Sequence, residues 1–359
     1  MRIADRPISS NHDPYVIAEI GVNHNGSLDT AIELVDAAAQ AGADAVKLQY
    51  FEADRLISRA STLANYQRDA GESDPIDMLR RLELPLDAMA RVVQRAHQRA
   101  VHAIVTVFSL ELVTPADALP WDAYKSASPD IIHRPLLAAL AATGRPLIIS
   151  TGASTLPEVG RALTWAKEAR DRVAVLQCVS SYPTPDDHKE LGGIAAIADI
   201  FPGPVGYSDH TTGVETGAQA AARGACILEK HLTLDNASVG PDHAASLTPD
   251  RFREYAHAAR MASGERRAHL RYGSPTSYSR PPIEAVKQVL DIEQDVRRLS
   301  RQSIVARRDL PAGHLLTPGD LTIKRPGTGL EPWRLDEIPG KKLAAAVAAD
   351  HPIPHGAVV

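Results

Sequence analysis

Two histidines in the second half of the chain have the spacing of a metal site. His210 and His231 each stand at the last position of a short apolar run, and residues 211–224 between them are alanine-rich with helical spacing. The segment is therefore predicted to form a strand, a helix and a second strand. Parallel strands joined in this way bring their ends to the same edge of a sheet. We expect the two imidazoles to converge there and to bind a metal ion.

Polar side chains stand at the ends of the other strand-like runs as well. They include two lysines, several hydroxyl groups and two carboxyl groups. The set is Glu19, Lys47, Gln49, Thr106, Phe108, Lys125, Ser128, Asp130, Ser150, Ser180, Tyr182 and Ser208, with Phe108 as its one apolar member. Two lysines, several hydroxyls and open backbone amides around one rim suit a small phosphate ligand far better than an apolar one. The pattern predicts an anion site beside the metal.

The elements that must position these residues alternate regularly. Short β-rich runs are predicted at Tyr15–Ile20, Ala45–Gln49, Ala103–Val107, Ala123–Ser126, Pro146–Ser150, Val173–Cys178, Val205–Ser208 and Cys226–His231. Helical patterns separate them, such as the one opened by the capping pair Thr155 and Glu158, and Thr248–Ser263 supplies the last helix. This alternation over about 250 residues is typical of a (β/α)8 TIM barrel, which places its chemistry at the carboxyl ends of its strands.

The composition and the predicted secondary structure of the chain change after the predicted barrel. Residues 265–280 are polar and punctuated by Gly and Pro, Pro282–Ser300 is predicted to form a charged amphipathic helix, and short strand-like pieces follow from Ser303. We predict a barrel domain over residues 1–265, a linker and connecting helix over 266–300, and a small β-rich domain over 301–359. A module of this size is near the lower limit for independent folding.

Composition excludes several classes of protein. Of the 359 residues 44% are hydrophobic and only 4% aromatic, which is common in α/β proteins, and the net charge is −5. No Lys/Arg run is long enough to track a nucleic-acid backbone. Cys178 and Cys226 fall inside predicted strands, so we expect buried thiols and a reducing compartment. With no apolar signal core near Met1 and no unbroken apolar span, we expect a cytoplasmic protein.

The motifs around these residues resemble those of the sialic acid synthases, which join phosphoenolpyruvate to the aldehyde of an acetamido sugar. Residues 18–26 are similar to the family's Ala-Glu-Ile-Gly-x-Asn-His-x-Gly opening. Residues 208–211 resemble its Ser-Asp-His-Thr element, and residues 229–233 its Glu-Lys-His-Phe-Thr element with Leu232 in place of Phe. Residues 324–329 resemble the Lys-Arg-Pro-Gly-x-Gly turn of its antifreeze-like (SAF) domain. The resemblance covers nearly the whole chain.

The resemblance implies a role for each candidate residue. His210 and His231 would hold a divalent ion, most suitably Mn²⁺, with Mg²⁺ or Co²⁺ as alternatives. The phosphate of phosphoenolpyruvate would meet Lys125, Ser128, Ser150, Ser180 and Ser208, and its carboxylate would meet Lys47 and Thr106. The open-chain sugar would face Glu19, Gln49, Asp130, Tyr182, Asp242 and Arg325, and Phe108 would be a further substrate-binding residue. The expected catalytic residues are Glu19, Lys47, Lys125, Tyr182 and Asp242, with Glu19 handling a proton. A domain-swapped homodimer is also implied, in which Arg325 of one chain reaches the site of the other.

Three departures from the family pattern leave the sugar open. Ser180 stands where the neuraminate synthases carry Asn, Asp130 replaces a longer Glu, and Ala127 replaces Gly before Ser128. These changes leave phosphoenolpyruvate binding intact, whereas the acceptor is either N-acetylmannosamine or a related 2,4-diacetamido hexose of the legionaminic or pseudaminic type. The segment Phe51–Leu84 has no motif, and we expect it to fold over the sugar.

Other functions are consistent with parts of this pattern. A different metal-dependent phosphoenolpyruvate synthase or a metal hydrolase could use the histidines, although a hydrolase usually needs more protein ligands. A barrel serving only as a carbohydrate-binding or assembly subunit is a third possibility, but it has no need for Lys47 and Lys125 on its rim. The remaining histidines that we considered are expected to be structural: His102, His133, His188 and His257.

Overall fold

The computed structural model describes residues 1–272 and 284–359. Its strands, in chain order, are β1 (Arg2–Ile3), β2 (Arg6–Pro7), β3 (Tyr15–Glu19), β4 (Ala45–Tyr50), β5 (His102–Val107), β6 (Ala123–Ser126), β7 (Leu147–Ser150), β8 (Val173–Cys178), β9 (Val205–Asp209), β10 (Ile227–His231), β11 (Ser303–Ala306) and β12 (Leu321–Lys324). Strands β3 to β10 form a closed parallel barrel, in which β10 pairs with β3. The predicted barrel is confirmed, and its strands begin and end within about two residues of the predicted positions.

Helices lie between and after the barrel strands. They are α1 (Leu28–Gln40), α2 (Ala53–Leu56), α3 (Asn65–Asp69), α4 (Pro75–Leu82), α5 (Leu86–Gln98), α6 (Val113–Asp117), α7 (Arg134–Ala142), α8 (Leu156–Trp165), α9 (Gly192–Ile200), α10 (Glu215–Ala222), α11 (Pro249–Tyr272) and α12 (Gln294–Ser300). The predicted cap of α8 is present: the Glu158 amide donates to Thr155 Oγ1, and Glu158 Oε2 accepts from the Thr155 amide. No helix of the described residues is long and apolar enough to cross a membrane.

The interior of the barrel changes from apolar to polar along each strand. Side chains alternate between the two faces of a strand, so the interior face of β4 carries Ala45, then Lys47, then Gln49. On β10 the same face carries Ile227, then Glu229, then His231. The apolar residues at the amino ends pack into one buried cluster with Ile3 and Ile8 of the N-terminal hairpin β1–β2. The lower end of the barrel is thus closed by hydrophobic side chains, and the polar groups collect at the upper end.

Two predictions about the connection to the tail were wrong. Helix α11 continues nine residues beyond the predicted end at Ser263, because its polar turns are tied to the N-terminal loop: Arg267 donates to Asp13 Oδ1 at 2.6 Å. The helix predicted over 282–300 is much shorter: residues 284–290 form neither helix nor strand, a 3-10 turn covers Asp291–Glu293, and α12 completes the segment. The rest of the predicted linker, including Pro282, lies outside the described residues.

The tail domain has its own small core and packs against the barrel of the same chain. Strands β11 and β12 pair antiparallel, and further bridges join Leu315 to Lys342 and Leu343 to Val358. At the junction, Trp333 of the tail stacks on Trp165 of α8 with ring centroids 6.3 Å apart. The predicted small β-rich domain is confirmed, and its docking places tail residues at the upper end of the barrel.

Candidate active site

A cavity lies at the carboxyl ends of the barrel strands, where the sequence pattern places the chemistry. It is lined by the predicted residues Glu19, Lys47, Gln49, Thr106, Phe108, Lys125, Ser128, Ser150, Ser180, Tyr182, Ser208, His210, His231, Asp242 and Arg325. One predicted residue is not in the lining. Asp130 is fully buried behind it, where its Oδ1 accepts a hydrogen bond from Gln302 of the tail at 2.9 Å. In the structure its carboxyl group links barrel and tail, and the role of Asp130 toward a sugar stays a prediction.

A buried network of two lysines and two glutamates forms the floor of the cavity. Glu229 Oε1 lies 3.4 Å from Lys125 Nζ and 3.9 Å from Lys47 Nζ, and accepts from Ser208 Oγ at 3.0 Å. Lys47 Nζ also contacts Glu19 Oε2 and donates to Thr106 Oγ1 at 3.0 Å. Burial, opposed by Glu229, lowers the pKa of Lys47 to about 7. This lysine can therefore gain or lose a proton near neutral pH.

Sequence reasoning missed Glu229, although its signal was present. The strand alternation that points His231 into the barrel also points Glu229 there, two positions earlier. Burial alone would raise the pKa of Glu229, but Lys125 and Lys47 lower it below its usual value. The carboxylate is therefore ionised and balances part of the lysine charge.

The two histidines converge as expected. Their ring centroids are 5.6 Å apart, and the Tyr182 ring lies 4.1 Å from that of His210. His210 Nδ1 is 2.8 Å from the carbonyl oxygen of Val179, which fixes the ring and leaves Nε2 for a ligand. Burial, together with the neighbouring His210 and Lys47, keeps the pKa of His231 well below its usual value, so this imidazole is neutral.

These side chains fit a metal site that is open on one side. His231 Nδ1 is buried without a hydrogen-bond partner in the described ranges and lies 3.7 Å from Asp242 Oδ2. A neutral buried imidazole nitrogen of this kind is the form that binds a divalent ion. No group of three or more His, Cys, Asp or Glu within residues 1–272 and 284–359 is arranged to hold a metal. Two protein ligands would leave positions for water and substrate.

Serine hydroxyls line the same cavity as Lys125. The Oγ atoms of Ser150 and Ser180 are buried and make no hydrogen bond to any described residue, while Ser128 Oγ accepts from the Gly152 amide at 2.9 Å. Gly152 sits so close that an added Cβ would lie 2.1 Å from Ser180 Oγ, so only glycine fits there. Free hydroxyls beside a lysine are suited to bind a phosphate group.

The upper wall comes from two segments distant in sequence. The segment 51–84, which includes α2, α3 and α4, lines the cavity with Tyr66 and with an apolar set: Phe51, Leu56, Met78, Leu79 and Leu82. The Tyr66 ring packs on Tyr182 with centroids 5.1 Å apart. From the tail, Arg325 is half-buried, its amide donates to Leu56 O at 2.9 Å, and its guanidinium lies 5.5 Å from the Phe108 ring. Tyr66 has no motif, so only the fold could reveal it.

Of the four histidines predicted to be structural, three have hydrogen-bond or ion-pair contacts and His257 is exposed. His102 Nδ1 is 2.7 Å from Tyr15 Oη, His133 accepts from the Leu136 amide at the start of α7, His188 bonds the adjacent Asp187, and His257 is exposed on α11. Both cysteines are buried. Cys226 contacts the carbonyl of Val205, whereas Cys178 reaches the edge of the site, with Sγ 3.7 Å from His210 Nδ1.

Comparison with known proteins gives a consistent result over the whole chain. Residues 34–267 match the NeuB family, and residues 301–359 match the SAF domain. The chain is 35% identical over 356 residues to the N,N'-diacetyllegionaminic acid synthase of Legionella pneumophila, covering 96% of this chain and 94% of that protein. It is 30% identical to human N-acetylneuraminate-9-phosphate synthase, covering 97% and 93%. The crystal structure of the Bacillus subtilis spore coat polysaccharide biosynthesis protein SpsE superimposes with a TM-score of 0.84 at 28% identity, covering 100% and 99%.

Proposed function

The chain belongs to the NeuB family, and from that relationship we propose that it condenses phosphoenolpyruvate with the open-chain aldehyde of an N-acylated amino sugar. The products are a nine-carbon 2-keto sugar acid and inorganic phosphate. One observation carries the proposal: two lysines, two histidines and four serine hydroxyls open into the same cavity, which the tail arginine completes. The relatives named for legionaminic acid and N-acetylneuraminate 9-phosphate synthesis support it.

We assign the phosphoenolpyruvate end of the site to the serine and lysine wall. Lys125 and the hydroxyls of Ser128, Ser150, Ser180 and Ser208 hold the phosphate, and Lys47 with Thr106 holds the carboxylate. The unpartnered Oγ atoms of Ser150 and Ser180 support this assignment, because a buried hydroxyl needs a partner that the described protein does not supply. Preorganised donors at both ends stabilise the charge that shifts during the reaction.

The histidine end of the site receives the aldehyde. His210 and His231 would hold a divalent ion, Mn²⁺ in our proposal with Mg²⁺ or Co²⁺ as alternatives, which would polarise the aldehyde oxygen as a Lewis acid. Carbon 3 of the enol then bonds to the aldehyde carbon, water adds at carbon 2, and phosphate leaves. Glu19, whose carboxylate contacts Lys47 Nζ, accepts the proton of that water.

The sugar lies between the histidines and the upper wall. Gln49, Tyr182, Asp242 and Arg325 provide hydrogen-bonding groups there, and Phe108 provides an apolar face. The side chains from segment 51–84 are mostly apolar, which suits the methyl groups of N-acyl substituents. The acceptor is therefore N-acetylmannosamine or a related 2,4-diacetamido hexose.

We further propose that the protein works as a homodimer that exchanges tail domains, in the reducing cytoplasm where its two buried thiols stay free. In such a dimer the partner's tail would supply the contacts to the barrel that are described above. From Tyr272 to Glu284 the connection has enough residues to span up to roughly 40 Å when extended. A twofold exchange would therefore build two equivalent sites.

The proposal is tested by supplying phosphoenolpyruvate, Mn²⁺ and a panel of acetamido sugars. Phosphate release that depends on the sugar, with a product whose mass is the sum of both carbon skeletons, is the expected result. Phosphate release without a sugar would instead indicate a hydrolase, and no release with any member of the panel would reject the condensation.

A further inference from the structure

The connecting segment ahead of the tail inserts a carboxylate among the loops that carry the phosphate-binding serines. Glu293 has only 1% of its surface exposed. Its Oε1 accepts hydrogen bonds from the amides of Ala153 at 2.6 Å and Ser180 at 2.7 Å. Those amides follow β7 and β8, the strands that lead to Ser150 and Ser180. The carboxylate of Glu293 therefore already accepts from the Ala153 and Ser180 amides, and the Ser150 and Ser180 hydroxyls remain for a ligand.

The position of Ala153 shows how firmly this loop is held. Ala153 has φ +50°, a left-handed conformation that alanine adopts only when its surroundings hold it there. Glu293 binds its amide, and Arg301 donates to its carbonyl oxygen at 3.1 Å. Arg301 in turn pairs with Glu158 at 2.7 Å at the start of α8. The two peptide groups that flank the Ala153 Cα are thus held by Glu293 of the connecting segment and by Arg301, the first residue of the tail.

The consequence reaches the hydroxyls that line the cavity. Gly152, which precedes Ala153, donates its amide to Ser128 Oγ and packs against Ser180 Oγ. A shift of the Ala153 peptide would displace Gly152 and with it the hydroxyls of Ser128 and Ser180. The buried Lys287 is electrostatically coupled to Glu293, so the carboxylate charge is partly balanced within the same segment.

We propose that Glu293 is a positioning residue for the phosphate end of phosphoenolpyruvate, acting through the amides of Ala153 and Ser180. This rests on the proposed function, since it assigns the serine wall to the phosphate. The carboxylate accepts with Oε1 from two amides and with Oε2 from the Leu290 amide at 3.0 Å. In Glu293→Gln the side-chain oxygen can stay on the Ala153 and Ser180 amides only with the NH2 group turned to Leu290, so the Leu290 amide loses its acceptor and the other two hydrogen bonds lose the negative charge of theirs.

The test measures binding and turnover separately. For Glu293→Gln we expect the Kd and the KM for phosphoenolpyruvate to rise by about tenfold or more, as for the loss of a charge-assisted hydrogen bond. The KM for the sugar should change less than twofold, because the sugar lies at the histidine end. Inorganic phosphate, titrated calorimetrically into the free enzyme, should show the same loss. Asp291→Asn, an exposed carboxyl on the same segment, is the matched control and should behave as wild type.

The outcomes separate this inference from the proposed function. Wild-type enzyme that binds neither phosphoenolpyruvate nor phosphate would reject the proposed function itself. Wild-type binding with an unchanged Kd in folded Glu293→Gln would reject the role of Glu293. An equal rise in the KM values for phosphoenolpyruvate and for the sugar, with a lowered Tm, would indicate that Glu293 only stabilises the fold. That result also rejects the positioning role. If Glu293→Gln does not fold, Glu293→Asp, which keeps the charge and shortens the reach, must show the same selective rise, and unchanged affinity there rejects the inference.

Discussion

Lys230 Nζ lies 3.3 Å from Asp209 Oδ2, and neither side chain is exposed to solvent. The two residues are cross-strand partners on β9 and β10, and each directly precedes one of the converging histidines. Asp209 Oδ1 also accepts from the Thr211 amide at 2.9 Å, while Lys230 Nζ donates to the Thr211 carbonyl. This buried ion pair fixes the ends of both strands, and so fixes the distance between His210 and His231.

Lys230→Met should therefore destabilise the protein strongly. Removing one partner leaves the Asp209 carboxylate buried without its cation, which costs roughly 3–5 kcal/mol in the free energy of unfolding. Urea denaturation followed by circular dichroism measures this loss in the free energy of unfolding. Arg80→Met is the matched control, because its pair with Asp54 is more than half exposed and is expected to contribute under about 1 kcal/mol. Equal effects of the two substitutions would contradict the structural role of the buried pair.

The second prediction concerns the metal. Dialysis against EDTA should abolish turnover, and Mn²⁺ should restore it. His210→Ala and His231→Ala should each weaken Mn²⁺ binding by more than about tenfold, because loss of a direct ligand exceeds the effect of losing its supporting partner. Metal content by mass spectrometry and the Tm are measured on each variant. His188→Ala, an exposed histidine away from the cavity, is the control. Full turnover after EDTA treatment, or wild-type affinity in either variant, would show that the metal site is misassigned.

The third prediction follows from the proposed role of Lys125 and the serines in holding the leaving phosphate. Because water adds at carbon 2, the bridging oxygen of phosphoenolpyruvate should leave with phosphate. Substrate carrying ¹⁸O at that position should therefore give labelled phosphate and an unlabelled keto acid, measured by mass spectrometry. Unlabelled substrate in ¹⁸O water is the complementary control, since label should then enter the keto acid. Label from the bridge in the keto acid would indicate attack at phosphorus and reject the mechanism.

The fourth prediction tests the exchange of tails. Arg325→Ala and His231→Ala homodimers should both be nearly inactive, since one lacks the tail arginine and the other a metal ligand. Co-refolding equal amounts would make half of the dimers mixed, and each mixed dimer would hold one intact site, so about a quarter of wild-type activity should return. Mass spectrometry confirms that subunits have mixed. No recovery after mixing would show that each tail serves its own barrel, and full activity in Arg325→Ala alone would reject the role of that residue.

The fifth prediction concerns Asp130 and pH. Burial, opposed by Arg325 and Gln302, raises its pKa from 3.8 to about 7. Because the pKa is raised in the folded state, protonated Asp130 makes its full contribution to the free energy of unfolding below about pH 4. That contribution is lost as the pH rises through 7. Asp130→Asn keeps the acceptor for Gln302 and cannot ionise. It should stabilise the protein at pH 8 by on the order of 3 kcal/mol and leave stability at pH 4 nearly unchanged.

Thermal unfolding from pH 4 to 8 measures this difference. The Tm of the wild type should fall relative to that of Asp130→Asn as the pH rises, and the exposed Asp54→Asn variant should follow the wild type. A difference between wild type and Asp130→Asn that does not change with pH would contradict a raised pKa for Asp130.

Local patterns were sufficient to predict most of the cavity. Lys47, Lys125 and both histidines stand at the polar ends of strands whose alternation and order are visible in the sequence, so barrel geometry alone brings them together. The same strand alternation could have predicted Glu229 as a residue of the cavity. The apolar starts of these strands, such as Ala45 and Ile227, likewise identify the core.

Long-range contacts account for what local patterns did not reveal. Tyr66 reaches the site because its segment pairs with the tail, where Ile57 bridges to Arg325. Glu293 contacts Ala153 from 140 positions away and Ser180 from 113, so no local signal marks it. The resemblance implied a sugar-facing role for Asp130, and its hydrogen bond to Gln302 of the tail had no signal in the sequence. Each of these residues depends on how the tail docks.

The stacked tryptophans at the junction allow the docking of the tail to be followed by intrinsic fluorescence. The chain has three tryptophans, of which Trp121 is buried in the barrel while Trp165 and Trp333 stack between barrel and tail, with Arg161 4.6 Å from the Trp333 ring. Separating the tail would place both stacked indoles in water and shift their emission to longer wavelength. In a Trp121→Phe background the remaining fluorescence would come from the junction alone. Intrinsic emission could then follow the release and recapture of the tail in real time, without any attached dye.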